Sequence, residues 1–372
     1  MSNVSNPPPG DVATGGPGGT EPPGGAPADP TAADARASTW ETVRGQLFSS
    51  TSPVWIFFAL IIIVAFFGID KPSAFLSSFN IRTMFINASV ALTLSVGMTY
   101  VIITSGIDLS VGSVLVMSGV IAAKVMIAVG GGSASALNAG WGPILAGVAV
   151  GLLVGLGWGL INGGLVALLN IPPLIVTLGT FGMAIGLADV LTGGNDLTGI
   201  PSTFNSTIGN GRLFGQIPWL TIIAAIVALL FGLLLHYTRF GRYTYAVGSN
   251  EEATRRAGIN VPLHLIKVYA IAGLLSGLAG VLSLAQFDTT TVGGHTTDNL
   301  TAISAVVIGG TSLFGGSGTM FGTVVGVFIP VVLAAGLVIV HVQSFWQQVM
   351  IGAILVIAVY FDQLRRRSRS RR

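Results

Sequence analysis

Residues Gly147-Val-Ala-Val-Gly151-Leu-Leu-Val-Gly155-Leu-Gly-Trp-Gly159-Leu-Ile-Asn-Gly163 put glycine at every fourth position of a stretch that carries no charge. In water each such glycine weakens a helix by about 1 kcal/mol relative to alanine. In lipid, small residues four apart form one smooth stripe against which another helix backbone packs closely. The stretch therefore reads as a close-packed membrane helix. Around it, Val125 to Ala188 runs 64 residues without Asp, Glu, Lys or Arg, and Asn299 to Phe361 runs another 63. No water-facing surface can be built from such segments. The composition agrees, since 51% of the 372 residues are hydrophobic and 8% charged, against about a quarter charged in soluble domains.

Hydropathic segments read as Pro53–Ile69, Met84–Thr104, Leu109–Val129, Gly142–Leu169, Pro172–Leu191, Ile217–Tyr237, Leu265–Phe287, Leu300–Ser312, Thr319–His341 and Phe345–Asp362. Most approach the ~20 residues that cross a bilayer as helix. The predicted fold is all-α, a polytopic transmembrane helical bundle of about ten spans. Leu300–Ser312 is short for a full crossing and is expected to be a half-helix or part of a broken one. Residues 1–30 hold eight Pro and seven Gly, a composition that buries too little surface to offset backbone ordering. Residues 1–46 are thus expected to be a disordered cytoplasmic tail, 47–364 the transmembrane domain with an internal polar loop over 237–266, and 365–372 a basic cytoplasmic tail.

Orientation follows from the distribution of Lys and Arg. With the amino terminus inside, the Arg239–Lys267 loop follows six spans and the Arg365–Arg372 segment follows ten, so both face the cytoplasm. The outer loops carry little positive charge, with Arg212 in 192–216 and Lys71 and Arg82, the imperfect fit, in the first outer loop. The net charge of +3 and pI near 9.4 do not indicate nucleic acid, because six of the 17 basic residues cluster in that last segment, next to membrane lipid. Cysteine is absent, which excludes disulfides and thiolate metal sites.

The most informative polar stretch is Gly248-Ser-Asn-Glu-Glu-Ala-Thr-Arg-Arg-Ala-Gly-Ile259. Ser249 followed by Glu252 has capping-box spacing, and Gly258 is placed to stop a helix of two turns. Acids at its amino end and Arg255 and Arg256 at its carboxyl end suit the helix dipole. A solvated connector that enforces topology explains these residues too, but a short capped helix between two spans is also a compact lever for a soluble partner.

Four segments together resemble the permease subunit of bacterial ABC importers of the ribose and simple-sugar class, over about residues 80–362. They are Thr104-Ser-Gly-Ile-Asp-Leu-Ser-Val-Gly112, Pro173-Leu-Ile-Val-Thr-Leu-Gly-Thr180, the Gly248–Ile259 stretch, and Val307-Ile-Gly-Gly-Thr-Ser-Leu-Phe-Gly-Gly-Ser-Gly318. The resemblance implies a multi-pass subunit of the bacterial inner membrane. Its partners would be a cytoplasmic ATPase, an extracytoplasmic solute-binding protein and a second copy or related permease. It places ATPase coupling on Asn250, Glu251, Glu252, Ala253, Arg255, Arg256 and Gly258. The chain would hold no cofactor or metal, with ATP used by the partner. Independently, the only lysines, Lys71, Lys124 and Lys267, end no G-x-x-x-x-G-K-[ST] sequence. The glycine-rich 309–318 segment therefore reads as a tight turn.

A sugar pathway requires hydrogen-bonding side chains embedded in the spans. Asn87, Thr99, Tyr100, Asn162, Thr177 and Thr180 meet that description, though each also suits a bond to a neighbouring helix backbone. Asp189, near the outer end of a span, reads either as a functional ionisable group or as a solvated one. Asp108 precedes an apolar run and is placed to cap the next helix, and Lys124 to snorkel outward. Gly106-Ile-Asp-Leu-Ser-Val-Gly-Ser113 and Gly310-Thr-Ser-Leu-Phe-Gly-Gly-Ser317 echo each other weakly, as repeats in transporters do.

The alternative to an ATP-driven permease is an ion-coupled secondary transporter, for which only Asp108 and Asp189 offer carboxylates. A channel lacks a filter sequence. An enzyme lacks H-E-x-x-H, G-x-S-x-G and a cysteine nucleophile, and its four histidines, His236, His264, His295 and His341, are scattered.

Overall fold

Polar caps and prolines decide where the helices start. The computed structural model describes residues 54–295, 297–343, 345–347, 349–350, 352–353, 356–357 and 359–360. The expected tail 1–46, the basic segment 365–372 and parts of the expected 345–362 span lie outside the described residues. Helix α1 spans Val54–Asp70. Ser77 then accepts the Asn80 amide at 3.2 Å and opens α2, Ser78–Ile103. That start is six residues earlier than hydropathy places it, because the first turns carry Asn80 and Arg82. Next come α3 (Val111–Val129), α4 (Trp141–Leu168) and α5 (Pro173–Thr192), the last opened by Pro172-Pro173 and closed by Gly193 in the left-handed region. A π-helical turn at Asn205–Gly209 and a short antiparallel pairing of 212–213 with 217–218 lead into α6, Trp219–Tyr237.

The 237–266 segment, expected as one loop around a single short helix, contains two. Helix α7 (Arg239–Ser249) is capped by Thr238, and α8 (Glu251–Arg256) by Asn250, whose Oδ1 accepts the Ala253 amide at 2.9 Å. The Ser249 capping box is thus corrected by one residue, because Ser249 is already the last residue of α7. Gly258, with φ of +83°, ends the turn as expected. Helix α9 (Val261–Phe287) starts at the Asn260 cap with Pro262 in its first turn. Helix α10 is Asp298–Ile308, and α11, Met320–Ile339, starts at the Thr319 cap and contains Pro330.

Among the described residues seven helices, α2 to α6, α9 and α11, are long and apolar enough to cross a membrane. The protein is a polytopic helical bundle. Helix α9 forms its centre, packed on α4, α2 and α3. The glycine stripe of α4 is what lets α9 in: a Cβ at Gly155 would come 2.7 Å from the Gly277 Cα, and one at Gly273 would come 2.6 Å from the Gly159 Cα. Gly157 and Gly164, on the other faces of α4, meet nothing within 4 Å. From Ala88 to Ile103, α2 is buried all round except at Ala91, the pattern of a helix inside a bundle.

With 11 residues, α10 is roughly 16 Å long, about half a bilayer core. The expected half-helix is therefore present, shifted two to four residues from Leu300–Ser312. The connection before it folds back along α9, since His295 bonds Ser283, one turn before the end of that helix. Asn299 Nδ2 then donates to the Leu109 carbonyl, at 3.1 Å, just before α3.

Candidate functional site

Two regions gather the polar groups. The first lies at the junction of three connections: 104–110 between α2 and α3, 309–319 between α10 and α11, and the passage from α7 to α8. Ser105, held at φ +63°, donates its hydroxyl toward the carbonyls of Gly248 (3.2 Å) and Phe314 (2.9 Å). The Gly316 amide donates to the Ile103 carbonyl at 2.9 Å. Tyr245 Oη donates to the Gly318 carbonyl at 2.8 Å, and burial pushes that phenol up to about 12. The 309–319 connection is thus held against the end of α2 and the α7–α8 passage.

Helix α8 lies on this junction. Thr254 is buried under it, while Glu251–Arg255 (2.8 Å) and Glu252–Arg256 (3.0 Å) form exposed pairs four residues apart. Such pairs are worth only about 0.3–0.5 kcal/mol, so a partner surface can exchange them at small cost. Asn250 caps, Ala253 and Gly258 are exposed, and all seven sequence-predicted coupling residues fall on or beside this one short helix. A cavity of 280 Å³ beneath it is lined by Ser105, Asn170, Glu251, Arg255 and Tyr269, among others.

Asp108 is buried in the same region. Its Oδ1 accepts the amide (2.9 Å) and hydroxyl (2.6 Å) of Ser110, the residue before α3. The carboxylate thus ties down the helix entry. Burial pushes this carboxyl above the usual carboxylate range, and the two Ser110 bonds oppose the shift.

The second region is a cavity of 780 Å³ between α2, the end of α9, the 288–297 connection, α10 and α11. Its polar wall holds Asn80, Thr83 and Asn87 of α2, Gln286, His295, Asp298 and Thr301. Pro330, Val331, Ala334 and Val338 of α11 make an apolar wall opposite. Gln286 Nε2 donates to Asn87 Oδ1 at 3.1 Å. His295 stands between Asp298 Oδ2 and Ser283 Oγ, each 2.7 Å from a ring nitrogen. The carboxylate only accepts, so Nδ1 carries the proton, and in the neutral ring Nε2 accepts from the serine. Ser283 is 3% exposed and does not line the cavity. The row therefore orients Asp298 and is no accessible nucleophile.

Of the pathway residues predicted from sequence, this cavity collects Asn87. The others bond within the bundle: Thr99 to Ser95 and Thr323, Tyr100 to the Phe231 carbonyl, Asn162 Nδ2 to Ser110 Oγ, Thr177 to the Pro173 and Ile107 carbonyls, and Thr180 to the Val176 carbonyl. Asp189 is exposed on α5, and Lys124 Nζ donates to the Leu191 carbonyl at 2.7 Å. Gln286, His295 and Asp298 were not singled out from sequence. The nearest signal was Gly293-Gly294-His295, a turn carrying a polar side chain between two apolar helices.

Residues 80–359 match the profile of the family described as branched-chain amino acid transport system / permease component. The chain is 37% identical to the D-allose transport system permease protein of Escherichia coli over 83% of this chain and 90% of that protein. It is 38% identical to the ribose import permease protein of Bacillus subtilis (82% and 91%), and 33% identical to the galactose/methyl galactoside import permease protein of Haemophilus influenzae (83% and 94%). No solved structure matches.

Proposed function

The chain belongs to the branched-chain amino acid transport system / permease component family and is a multi-pass membrane permease component; from that premise we propose that it is the membrane subunit of an ABC importer. In this reading it carries a monosaccharide or similar small polar solute across the bacterial cytoplasmic membrane. The family description names amino acids, whereas the relatives named above are permeases for allose, ribose and galactose. The sugar reading follows the relatives, which match over most of both chains. The ion-coupled alternative gains no support from them.

A separate ATPase supplies the work. Asn250, Glu251, Glu252, Ala253, Arg255, Arg256 and Gly258 form its docking lever, with ATP bound by that partner and not by this chain. A binding protein delivers solute from outside, and a second copy or related permease completes the gate. Both termini face the cytoplasm. Solute passes the outer cavity by Asn87, whereas Thr99, Tyr100, Asn162, Thr177, Thr180 and Asp189 serve the pathway through helix positioning or surface exposure.

The single observation that carries this reading is the seat of α8: a charged, self-paired helix fixed on the junction of the connections around α2, α3, α10 and α11. Movement of α8 is thereby passed to several spans at once. Because the chain has no cysteine, Ala253→Cys provides a unique thiol. Disulfide trapping against single cysteines along the groove of the cognate ATPase is expected to join the two chains. An assembled complex in which no pairing along α8 ever cross-links would remove the docking role.

A further inference from the structure

The outer cavity has a chemistry of its own. Its 780 Å³ falls within the ~300–1,000 Å³ of small-molecule sites. Gln286 uses one amide hydrogen on Asn87 Oδ1, which leaves the Asn87 amide group as donor and the Gln286 carbonyl as acceptor. Asp298 commits Oδ2 to His295, which leaves its other oxygen as acceptor. A hydroxyl donates one hydrogen and accepts through two lone pairs, so this mixture matches a polyol. Phe287, half exposed on the same wall, supplies a flat apolar face.

An amino acid fits poorly. Among the described lining residues there is neither Lys nor Arg, so its ammonium group meets Asp298 but its carboxylate has no fixed countercharge. Burying an unpaired charge is strongly unfavourable. We propose, on the premise that the chain is an importer permease, that Asn87, Gln286 and Asp298 form a hydroxyl-binding station that holds an uncharged polyol in transit and rejects zwitterions. His295, fixed by Ser283, is the positioning residue for Asp298.

The test uses proteoliposomes holding the full complex with its ATPase and binding protein, and labelled D-ribose, D-allose, D-galactose and L-leucine. Asp298→Asn keeps an acceptor for His295 but replaces the carboxylate. The station requires uptake efficiency of the transported sugar to fall about tenfold, the loss expected for one charge-assisted hydrogen bond. A second measurement is independent of turnover. In this cysteine-free chain, Thr301→Cys is labelled with a maleimide, and the transported sugar, but not L-leucine, slows labelling several-fold. Undiminished uptake efficiency in Asp298→Asn, or labelling of Thr301→Cys that sugar does not slow, overturns the station and leaves the permease reading standing. Wild-type uptake of L-leucine and of none of the sugars overturns both.

Discussion

Gly248 lies so close to the carbonyl oxygen of Ile103 that any Cβ there would overlap it, while the same oxygen accepts the Gly316 amide at 2.9 Å. One backbone atom at the end of α2 thus joins the passage into α8 to the glycine-rich connection before α11. This contact ties the passage into α8 to the bundle, so α8 is not an independent surface helix.

Gly248→Ala is expected to force these backbones apart at a cost of about 1–3 kcal/mol, the usual penalty of overpacking. The inserted protein should lose thermal stability in detergent, and ATP turnover by the complex should no longer respond to the loaded binding protein. Unchanged stability and response would show that the junction yields freely.

Within α8, Asn250→Ala removes the cap on the Ala253 amide and should cost about 1 kcal/mol of helix stability. Gly258→Ala meets open space, so its penalty, also about 1 kcal/mol, comes from the +83° φ alone. Both variants should insert normally and both should weaken ATPase binding. The check is a titration of detergent-solubilised permease with the purified ATPase, in which wild-type affinity for either variant counts against a preformed helix.

The packed and open faces of the α4–α9 pair should answer substitution oppositely. Gly155→Val collides with Gly277 backbone, and Gly273→Val with Gly159; each should abolish recovery of folded protein. Gly157→Val points into open space and should be recovered at wild-type yield. Size-exclusion profiles of the three variants decide this, and equal yields would mean that the α4–α9 contact does not hold the bundle.

Asp288 ends α9 at a φ of +59° with Oδ1 buried and unpartnered. Burial raises its pKa above 3.8. The carboxyl therefore binds its proton more tightly folded than unfolded, and its contribution to stability is complete below 3.8 and lost as pH rises through the folded value. Asp288→Asn should raise the thermal midpoint at neutral pH, with the difference from wild type shrinking as pH falls toward the ordinary carboxylate range. A difference that grows on acidification would contradict this assignment.

Much of the bundle is legible in the sequence because long uncharged runs leave no other fold, and the half-length of α10 shows in the shortness of its apolar run. Helix α7 is not legible that way. Arg239 and Arg242 make it too polar for hydropathy to mark, and its sign is instead the helical spacing of the residues it buries, Gly241, Thr244 and Val247. The junction partners Ser105, Gly248 and Phe314 lie within the segments that carry the family resemblance, but their contacts span 143 and 209 residues and leave no local pattern. The 780 Å³ cavity is hidden for the same reason, as Asn87 and Gln286 are 199 residues apart. Thr99, Tyr100 and Thr177 were recognisable as embedded polar residues. What the sequence could not supply was the partner of each, and in these three cases the partner is another part of the bundle.

In the proposed mechanism this chain is a passive gate driven through α8 by ATP hydrolysed elsewhere. The direct measurement is sugar accumulation in proteoliposomes containing the permease with its ATPase and binding protein, compared with vesicles containing the permease alone under an imposed proton or sodium gradient. Accumulation only with ATP and both partners is the predicted result. Uphill uptake by the permease alone on the ion gradient would contradict it.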